Sequence, residues 1–282
     1  MTDRDFRTDP RFRTWMGVFA LMALALLAGG YGYYRGEAER IRQEKYHDLA
    51  AIGELKTSQI REWRQARMAD ARRSATSPFF RRAVAEWRRA PENPDLRADW
   101  EKRLQLDQEA YGYADVLLLD PEGRILLAAN DDPEPVDPAT QGAVTTALSQ
   151  REAVFSDFYR SPQGRVYLDT VVPIPDAEGR PLAILVLRSD AASYLYPLIQ
   201  TWPTPSRSAE TLLIQREGDA VVFLNELRHQ ANTALSLRIP LAQRDLPAAQ
   251  AALGHEGQFQ GQDYRPRWIP RKFWPRRATA PA

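Results

Sequence analysis

The pattern of hydrophobic and polar positions sets one stretch of the chain apart from the rest. Residues 15–34, WMGVFALMALALLAGGYGYY, form a run without a charge. A helix rises 1.5 Å per residue, so this run reaches about 30 Å, the thickness of a bilayer's hydrocarbon core. Trp15 at one end and Tyr33 and Tyr34 at the other suit the two headgroup regions. The pattern predicts a transmembrane helix, with residues 1–14 as a cytoplasmic N-terminus.

A cleaved signal peptide is the alternative for this run. Basic residues precede it, and the small residues of Ala23-Leu24-Ala25 offer a cleavage site. The run is longer than the usual apolar region of a signal peptide, which favours a retained span. Basic residues flank the run on both sides, so the positive-inside rule gives no orientation.

Helical periodicity follows the apolar run. Apolar residues recur at helical spacing through 37–87, with a break at Ser77-Pro78 and a restart over 79–89. A further helix is predicted over 95–108, with Leu96, Trp100 and Leu104 on one face. We assign residues 35–110 to a stalk and helical segment that continues from the span.

Strand patterns begin after residue 111 and define a first lobe over 111–202. Strands are predicted over 115–119, 124–129, 153–159, 165–174 and 182–188, with Pro- and Gly-containing turns between several of them. One helix is predicted over 138–150. Five strands with helices segregated to one side predict an α+β layer.

A similar order of elements then begins again. After a helix over 194–202 and a linker over 203–206, a hairpin is predicted over 211–215 and 220–224. A helix over 246–253 and a strand over 257–264 follow, and the pattern stops before two further strands. We therefore expect a partial second lobe over 203–264. Residues 265–282 are basic and rich in proline, and we expect them to be unstructured.

Composition and motifs exclude several classes of function. The 282 residues carry a net charge of +1, and outside the basic tail there is no basic face that would favour nucleic acid. The chain has no cysteine, which excludes disulfides and thiolate metal sites. Three isolated histidines and the lack of P-loop, HExxH and GxSxG motifs predict no catalytic residue, no metal and no cofactor. We predict that this chain is not an enzyme.

Two stretches carry a family resemblance that covers residues 37–264. VFSDFYRSPQGRVYLDTVVPIPDAEGRPLAILVLRSD and YLYPLIQTWPTPSRSAETLLIQREGDAVVFLNELRH resemble double Cache (PAS-like) sensor regions of bacterial sensor histidine kinases and diguanylate cyclases. The resemblance implies an inner-membrane, single-pass signal-transduction protein whose C-terminal region is periplasmic or extracellular. It also implies a small-molecule ligand and a homodimer through the stalk and span.

The sequence departs from this family after residue 264. The family continues into further strands, a second membrane helix and a cytoplasmic signalling domain, whereas this chain continues into RPRWIPRKFWPRRATAPA. We interpret this as a truncated or frameshifted end; a genuine basic tail that binds a membrane surface or an anionic partner is the alternative. The function predicted is a membrane-anchored ligand-sensing region. The alternatives are a tethered binding protein without an output domain, or an N-terminal fragment of a histidine kinase or diguanylate cyclase.

The candidate ligand contacts lie on the two strands that would wall a pocket in the first lobe. They are Asp157, Tyr159, Arg160, Tyr167 and Asp169. Asp157 and Tyr159 are expected to share one strand face, as are Tyr167 and Asp169. Acidic and aromatic side chains suit an amine or the amino end of an amino acid, and Arg160 could meet a carboxylate. The alternative is that these are solvated strand positions.

Overall fold

The computed structural model describes residues 10–203, 206, 209–257, 259, 261 and 264. The chain forms two compact units, Met1–Glu54 and Leu55–Ala282. The first helix, α1, begins at Pro10 and ends at Thr76. The tail after residue 264 lies outside the described residues.

The first unit contains the apolar run. Its large side chains, such as Phe19, Leu21 and Leu27, are exposed in the structure rather than packed into a core. Among the described residues, one helix is long and apolar enough to cross a membrane by length and composition, and its apolar window lies near the N-terminus.

The second unit begins with a helical layer whose breaks come from capping residues. Helix α2 (Pro78–Arg89) starts where the Ser77 hydroxyl accepts a hydrogen bond from the Phe80 amide at 3.3 Å. Helix α3 (Pro94–Tyr111) is capped at its start by Asn93 and at its end by Gly112, which adopts the left-handed conformation that favours glycine (φ +66°). The proline in the first turn of each helix has no amide hydrogen to satisfy there.

An antiparallel sheet of six strands follows, and α4 (Pro138–Gln150) packs on it. The strand order is β2-β1-β6-β5-β3, and β4 also pairs with β5. The strands are β1 (Asp115–Leu119), β2 (Ile125–Ala128), β3 (Val154–Phe155), β4 (Tyr159–Arg160), β5 (Val166–Pro175) and β6 (Pro181–Asp190). The single strand predicted over 153–159 is wrong, because the chain leaves the sheet between β3 and β4.

Helices cover both faces of this sheet, so the expectation of helices on one side only is wrong. Residues of the C-terminal part of α1, of α2 and of α3 pack against Val116, Leu118 and Leu185 on one face. Helix α4 packs against Leu117 and Ile184 on the other. The central strands are apolar on both faces, and each face needs a covering layer to exclude water. The α+β fold class is confirmed.

The second lobe is a smaller sheet that follows α5 (Leu195–Gln200). Strands β7 (Ile214–Glu217), β8 (Ala220–Phe223) and β9 (Arg238–Pro240) pair in that order, and α6 (Pro247–Ala252) packs against them. The third strand therefore precedes the helix, contrary to the predicted order. Of the strand predicted over 257–264, the described residues 257, 259, 261 and 264 are not in a strand.

Candidate ligand-binding site

A row of buried charges crosses the sheet of the first lobe. Asp115 on β1 is the register partner of Arg188 on β6, and Arg188 is the partner of Asp169 on β5. Register partners on adjacent strands point to the same face of a sheet. All three residues are almost completely buried, with exposed fractions of 2%, 1% and 0%. Thr140 of α4 bonds to Asp169, which places the row on the face that α4 covers.

Asp169 is the most heavily bonded member of the row. Its carboxylate accepts hydrogen bonds from the Thr140 hydroxyl at 2.6 Å, the Tyr159 hydroxyl at 2.8 Å and Arg188 Nε at 3.4 Å. Its backbone amide donates to Ser156 Oγ at 2.9 Å. Donors from a helix and two strands therefore meet at one carboxylate, and the segment between β3 and β4 holds its backbone.

Arg188 lies between aromatic rings. Its guanidinium carbon is 5.4 Å from the centre of the Tyr167 ring and 5.9 Å from that of Tyr159, distances at which a cation is attracted to a ring face. Nη1 donates to the carbonyl of Glu134 at 3.3 Å. The Tyr167 hydroxyl donates to the carboxylate of the same Glu134 at 3.1 Å, so the loop before α4 closes over the arginine.

Two polar atoms of the row are buried without a hydrogen-bond partner among the described residues. They are Arg188 Nη2, a donor, and Asp115 Oδ2, an acceptor. The other oxygen of Asp115 accepts from the amides of Val116 and Asn130 at 2.8 and 3.3 Å. A buried donor and a buried acceptor left unpaired are costly, and a bound polar molecule would satisfy both.

The pKa values of the three row residues and of Tyr159 are all raised, through different balances of burial and neighbouring charges. Burial raises the pKa of Asp169, and the nearby Arg188 and the Thr140 hydrogen bond oppose that rise. Burial also raises the pKa of Asp115, against its backbone hydrogen bonds. Burial and the Asp169 carboxylate raise the pKa of Tyr159, so its hydroxyl remains a donor. Burial by itself lowers the pKa of Arg188, but Asp169 and Tyr159 raise it above its ordinary value, so the guanidinium stays charged.

The rest of this sheet face is apolar. Leu117, Val171, Ile184 and Val186 continue the same strands beneath α4. The charged row thus occupies one end of an apolar layer, with tyrosine rings beside it. A few placed polar groups beside apolar side chains are the composition that small-molecule sites usually have.

The structure brings three of the five predicted residues together and leaves two outside. Tyr159, Tyr167 and Asp169 surround Arg188. Asp157 is exposed, and its carboxylate accepts from Gln215 Nε2 at 3.4 Å. The expectation that Asp157 and Tyr159 share a strand face is wrong, because Asp157 lies between β3 and β4. The role of the five residues as ligand contacts stays a prediction.

Arg160 faces the second lobe. Its guanidinium donates to the carbonyls of Gly164 at 2.8 Å and Ala234 at 2.5 Å, and lies 3.9 Å from the Glu226 carboxylate. These bonds hold the side chain away from the charged row, so the expected contact between Arg160 and a ligand carboxylate has no support in this arrangement.

Sequence reasoning did not find Arg188, Asp115, Thr140 or Glu134. The sequence contained a signal for the two charged strand residues. Asp115 opens a buried strand, and Arg188 directly follows the apolar run LAILVL within β6. A charge inside a strand that is buried on both faces requires a partner. Among the described residues, no three His, Asp or Glu side chains are grouped so that they could hold a metal ion.

Several solved sensor domains are similar to this chain. The sensor domain of the V. cholerae histidine kinase DctB matches with a TM-score of 0.43 and 15% identity over 58% of this chain. The ligand-binding domain of the Pseudomonas aeruginosa PAO1 amino acid chemoreceptor PctC, in complex with GABA, matches at 0.46 and 18% over 71% of this chain and 82% of that domain. That of the Pseudomonas fluorescens chemoreceptor CtaA, in complex with L-serine, matches at 0.49 and 14% over 72% of this chain and 79% of that domain.

These solved structures are Cache-type extracytoplasmic sensor domains, the class that the sequence resembles. The likeness concerns the fold alone. The chain spans 61% of the length of the DctB domain. No model of a protein family and no curated protein matches the chain.

Proposed function

We propose that Leu55–Ala282 is a ligand-sensing domain of a bacterial signal-transduction receptor, anchored to the membrane by residues 15–34. The observation that carries this proposal is the buried row Asp115–Arg188–Asp169, with one donor and one acceptor unpaired. Stability alone does not explain these charges, because replacing a buried charge network by well-packed apolar residues is often neutral or stabilising. Perturbed, buried charges beside an apolar layer are typical of a functional site.

The charges of the row favour a small zwitterion or amine as the ligand. Two carboxyl groups face one guanidinium, so when both are ionised the row carries an excess negative charge that a cationic group on the ligand would neutralise. Asp115 Oδ2 is the free acceptor for an ammonium, and Arg188 Nη2 is the free donor for a carboxylate or carbonyl. An amino acid carries both groups, and the rings of Tyr159 and Tyr167 offer faces for its cationic end.

A path for the signal runs through β4. Tyr159 and Arg160 are neighbours on this short strand, and successive strand residues point to opposite faces. Tyr159 bonds to Asp169 inside the first lobe, whereas Arg160 donates to Ala234 of the second lobe. A ligand that takes Arg188 away from Asp169 would shift Tyr159 and move the contact between the lobes.

A hydrogen bond between α1 and α5 offers a second path for the signal out of the first lobe. Lys56 Nζ donates to the carbonyl of Leu198 on α5 at 2.5 Å, and burial lowers the pKa of this lysine. The C-terminal part of α1 is thereby tied to the helix that follows β6. In this proposal the receptor acts as a homodimer through the stalk and span, where Ala25 and Gly29 have the spacing that lets two helices approach closely.

The test is a thermal-shift screen of the full chain in lipid nanodiscs with amino acids, amines and small carboxylates. A ligand at about one hundred times its Kd stabilises the folded state by about 2.7 kcal/mol. For a domain of this size that is a rise in Tm of roughly 5–11 °C. We expect Asp115→Asn to lose most of the shift, whereas Asp157→Asn, whose carboxylate lies outside the row, keeps it. No shift with any compound, or an unchanged shift in Asp115→Asn, would refute the proposal.

A further inference from the structure

A concave surface lies on the opposite face of the same sheet, at its edge. Residues 57–72 of α1 and Phe155 of β3 enclose a groove of about 570 Å³. Phe155 is the register partner of Thr170, the neighbour of Asp169, so its side chain leaves the sheet on the side away from the charged row. The groove is therefore separate from the site described above.

The floor of the groove is apolar and held in place. Ile60 and Met68 line it from the helix, and Phe155 lines it from the sheet. The Phe155 ring stacks on Trp63, with ring centres 6.3 Å apart and planes 19° apart. The guanidinium carbon of Arg64 lies 5.0 Å from the centre of the same ring, a cation–π distance that keeps this charge over the floor.

Three arginines surround the floor, and none of them forms an ion pair with an acid among the described residues. Arg61, Arg64 and Arg72 line the groove and are exposed. The ion pairs that the described part of α1 forms involve other residues, such as Arg73 with Asp70. Arg61 and Arg64 are one turn apart, whereas Arg72 lies roughly 12 Å further along the helix axis. Arg61 and Arg64 therefore line the same end of the groove, and the Arg64 guanidinium lies over Phe155.

We propose that this groove binds a soluble organic anion with an apolar body, whose carboxylate or sulfonate is held by Arg61 and Arg64. The volume lies in the range of small-molecule sites, which are mostly apolar with a few placed polar groups. Guanidiniums bind such anions through paired, charge-assisted hydrogen bonds. An apolar body on Ile60, Met68 and Phe155 displaces water from the floor and strengthens the ion pair. This proposal does not depend on the ligand of the charged row.

The experiment is equilibrium dialysis of the full chain in phosphatidylcholine nanodiscs against radiolabelled 1-naphthoate, with protein-free nanodiscs as the background. The uncharged analogue 1-naphthamide has nearly the same shape and tests the need for an anion. We expect saturable binding of one naphthoate per chain and binding of the amide that is at least about tenfold weaker. The double substitution Arg61→Gln/Arg64→Gln should weaken naphthoate binding by at least about tenfold.

Two control variants test whether naphthoate binding is specific to this groove. Arg73→Gln removes a charge of the same helix whose side chain is 64% exposed and does not line the groove, and it should bind naphthoate as the wild type does. Asp169→Asn alters the charged row and should also leave binding unchanged. The inference is overturned if naphthoate does not bind above background or if the amide binds equally well. It is also overturned if the double variant keeps its affinity, or if either control loses it.

Discussion

Removing the guanidinium of the buried row is the sharpest test of the electrostatics of the first lobe. In Arg188→Met an apolar side chain of similar length replaces the arginine. Asp169 then keeps only the hydroxyls of Thr140 and Tyr159, and Asp115 loses the cation that lowers its pKa. Breaking a buried ion pair by removing one partner costs about 3–5 kcal/mol.

Protonation sets an upper limit on this cost. A carboxylate that is too costly to bury takes up a proton instead. Neutralising a group whose unfolded pKa is about 3.9 costs roughly 4 kcal/mol at pH 7 but only about 1.5 kcal/mol at pH 5. The destabilisation by Arg188→Met should therefore be about 3–5 kcal/mol at pH 7 and about half of that or less at pH 5. At pH 7 this corresponds to a fall in Tm of roughly 6–20 °C.

The measurement is thermal unfolding of the full chain in nanodiscs, followed by near-UV circular dichroism at pH 7 and pH 5. The matched control is Arg180→Met, which removes an arginine that pairs with Asp176 at 2.9 Å but is 74% exposed. An exposed pair contributes about 1 kcal/mol or less, so this variant should change Tm little at either pH. A second substitution, Asp169→Leu, should restore part of the stability of Arg188→Met by removing one of the carboxylates left without a cation.

Two results would contradict this electrostatic account. One is equal destabilisation by Arg188→Met and Arg180→Met, because burial would then not govern the cost. The other is a cost that stays the same between pH 7 and pH 5, because the carboxylates left behind would then not be the cause.

Three further predictions concern single groups and contacts. The raised pKa of Asp169 means that the folded state retains a proton that the unfolded chain releases above the ordinary value of 3.8. The unfolding free energy of the wild type should therefore fall, relative to Asp169→Asn, as the pH rises above 4; a difference that is constant with pH contradicts this assignment. Arg160→Gln removes the bond to Ala234 and should speed amide hydrogen exchange in residues 226–234 while leaving β1 protected; unchanged exchange would show that this bond does not order the loop. Asn93→Ala removes the cap of α3 and should lower the unfolding free energy by about 1 kcal/mol in urea titration, and a change below about 0.3 kcal/mol would mean that water replaces the cap.

The elements that the sequence predicted well have strong local signals. Helix α4 matches its predicted range of 138–150 because Asp137 caps its first turn, accepting from the Ala139 amide at 2.8 Å, and Pro138 suits the first helical position. Strand β1 matches 115–119 because an apolar run ends there at the turn beginning with Asp120. In both elements the residues that start or stop the structure are sequence neighbours.

The strand predicted over 153–159 failed for a reason that lies elsewhere in the chain. Ser156 exchanges hydrogen bonds with the backbone of Asp169, its amide donating to the carbonyl at 2.8 Å and its hydroxyl accepting from the amide at 2.9 Å. After this point the chain leaves the sheet and returns as β4. The alternation of apolar and polar residues is compatible with one strand, and only the partner strand reveals the interruption.

Local sequence specified the apolar run, most of the helices and strands and the turns between them, since these depend on propensities and spacings within a few residues. Tertiary packing determined which charged residues come into contact. Asp115, Asp169 and Arg188 are far apart in the chain, and they form a row because β6 lies between β1 and β5 in the sheet. Packing also turned Arg160 toward Ala234, 74 positions away. Such contacts depend on which distant segments bury their apolar faces together, and no local pattern specifies that choice.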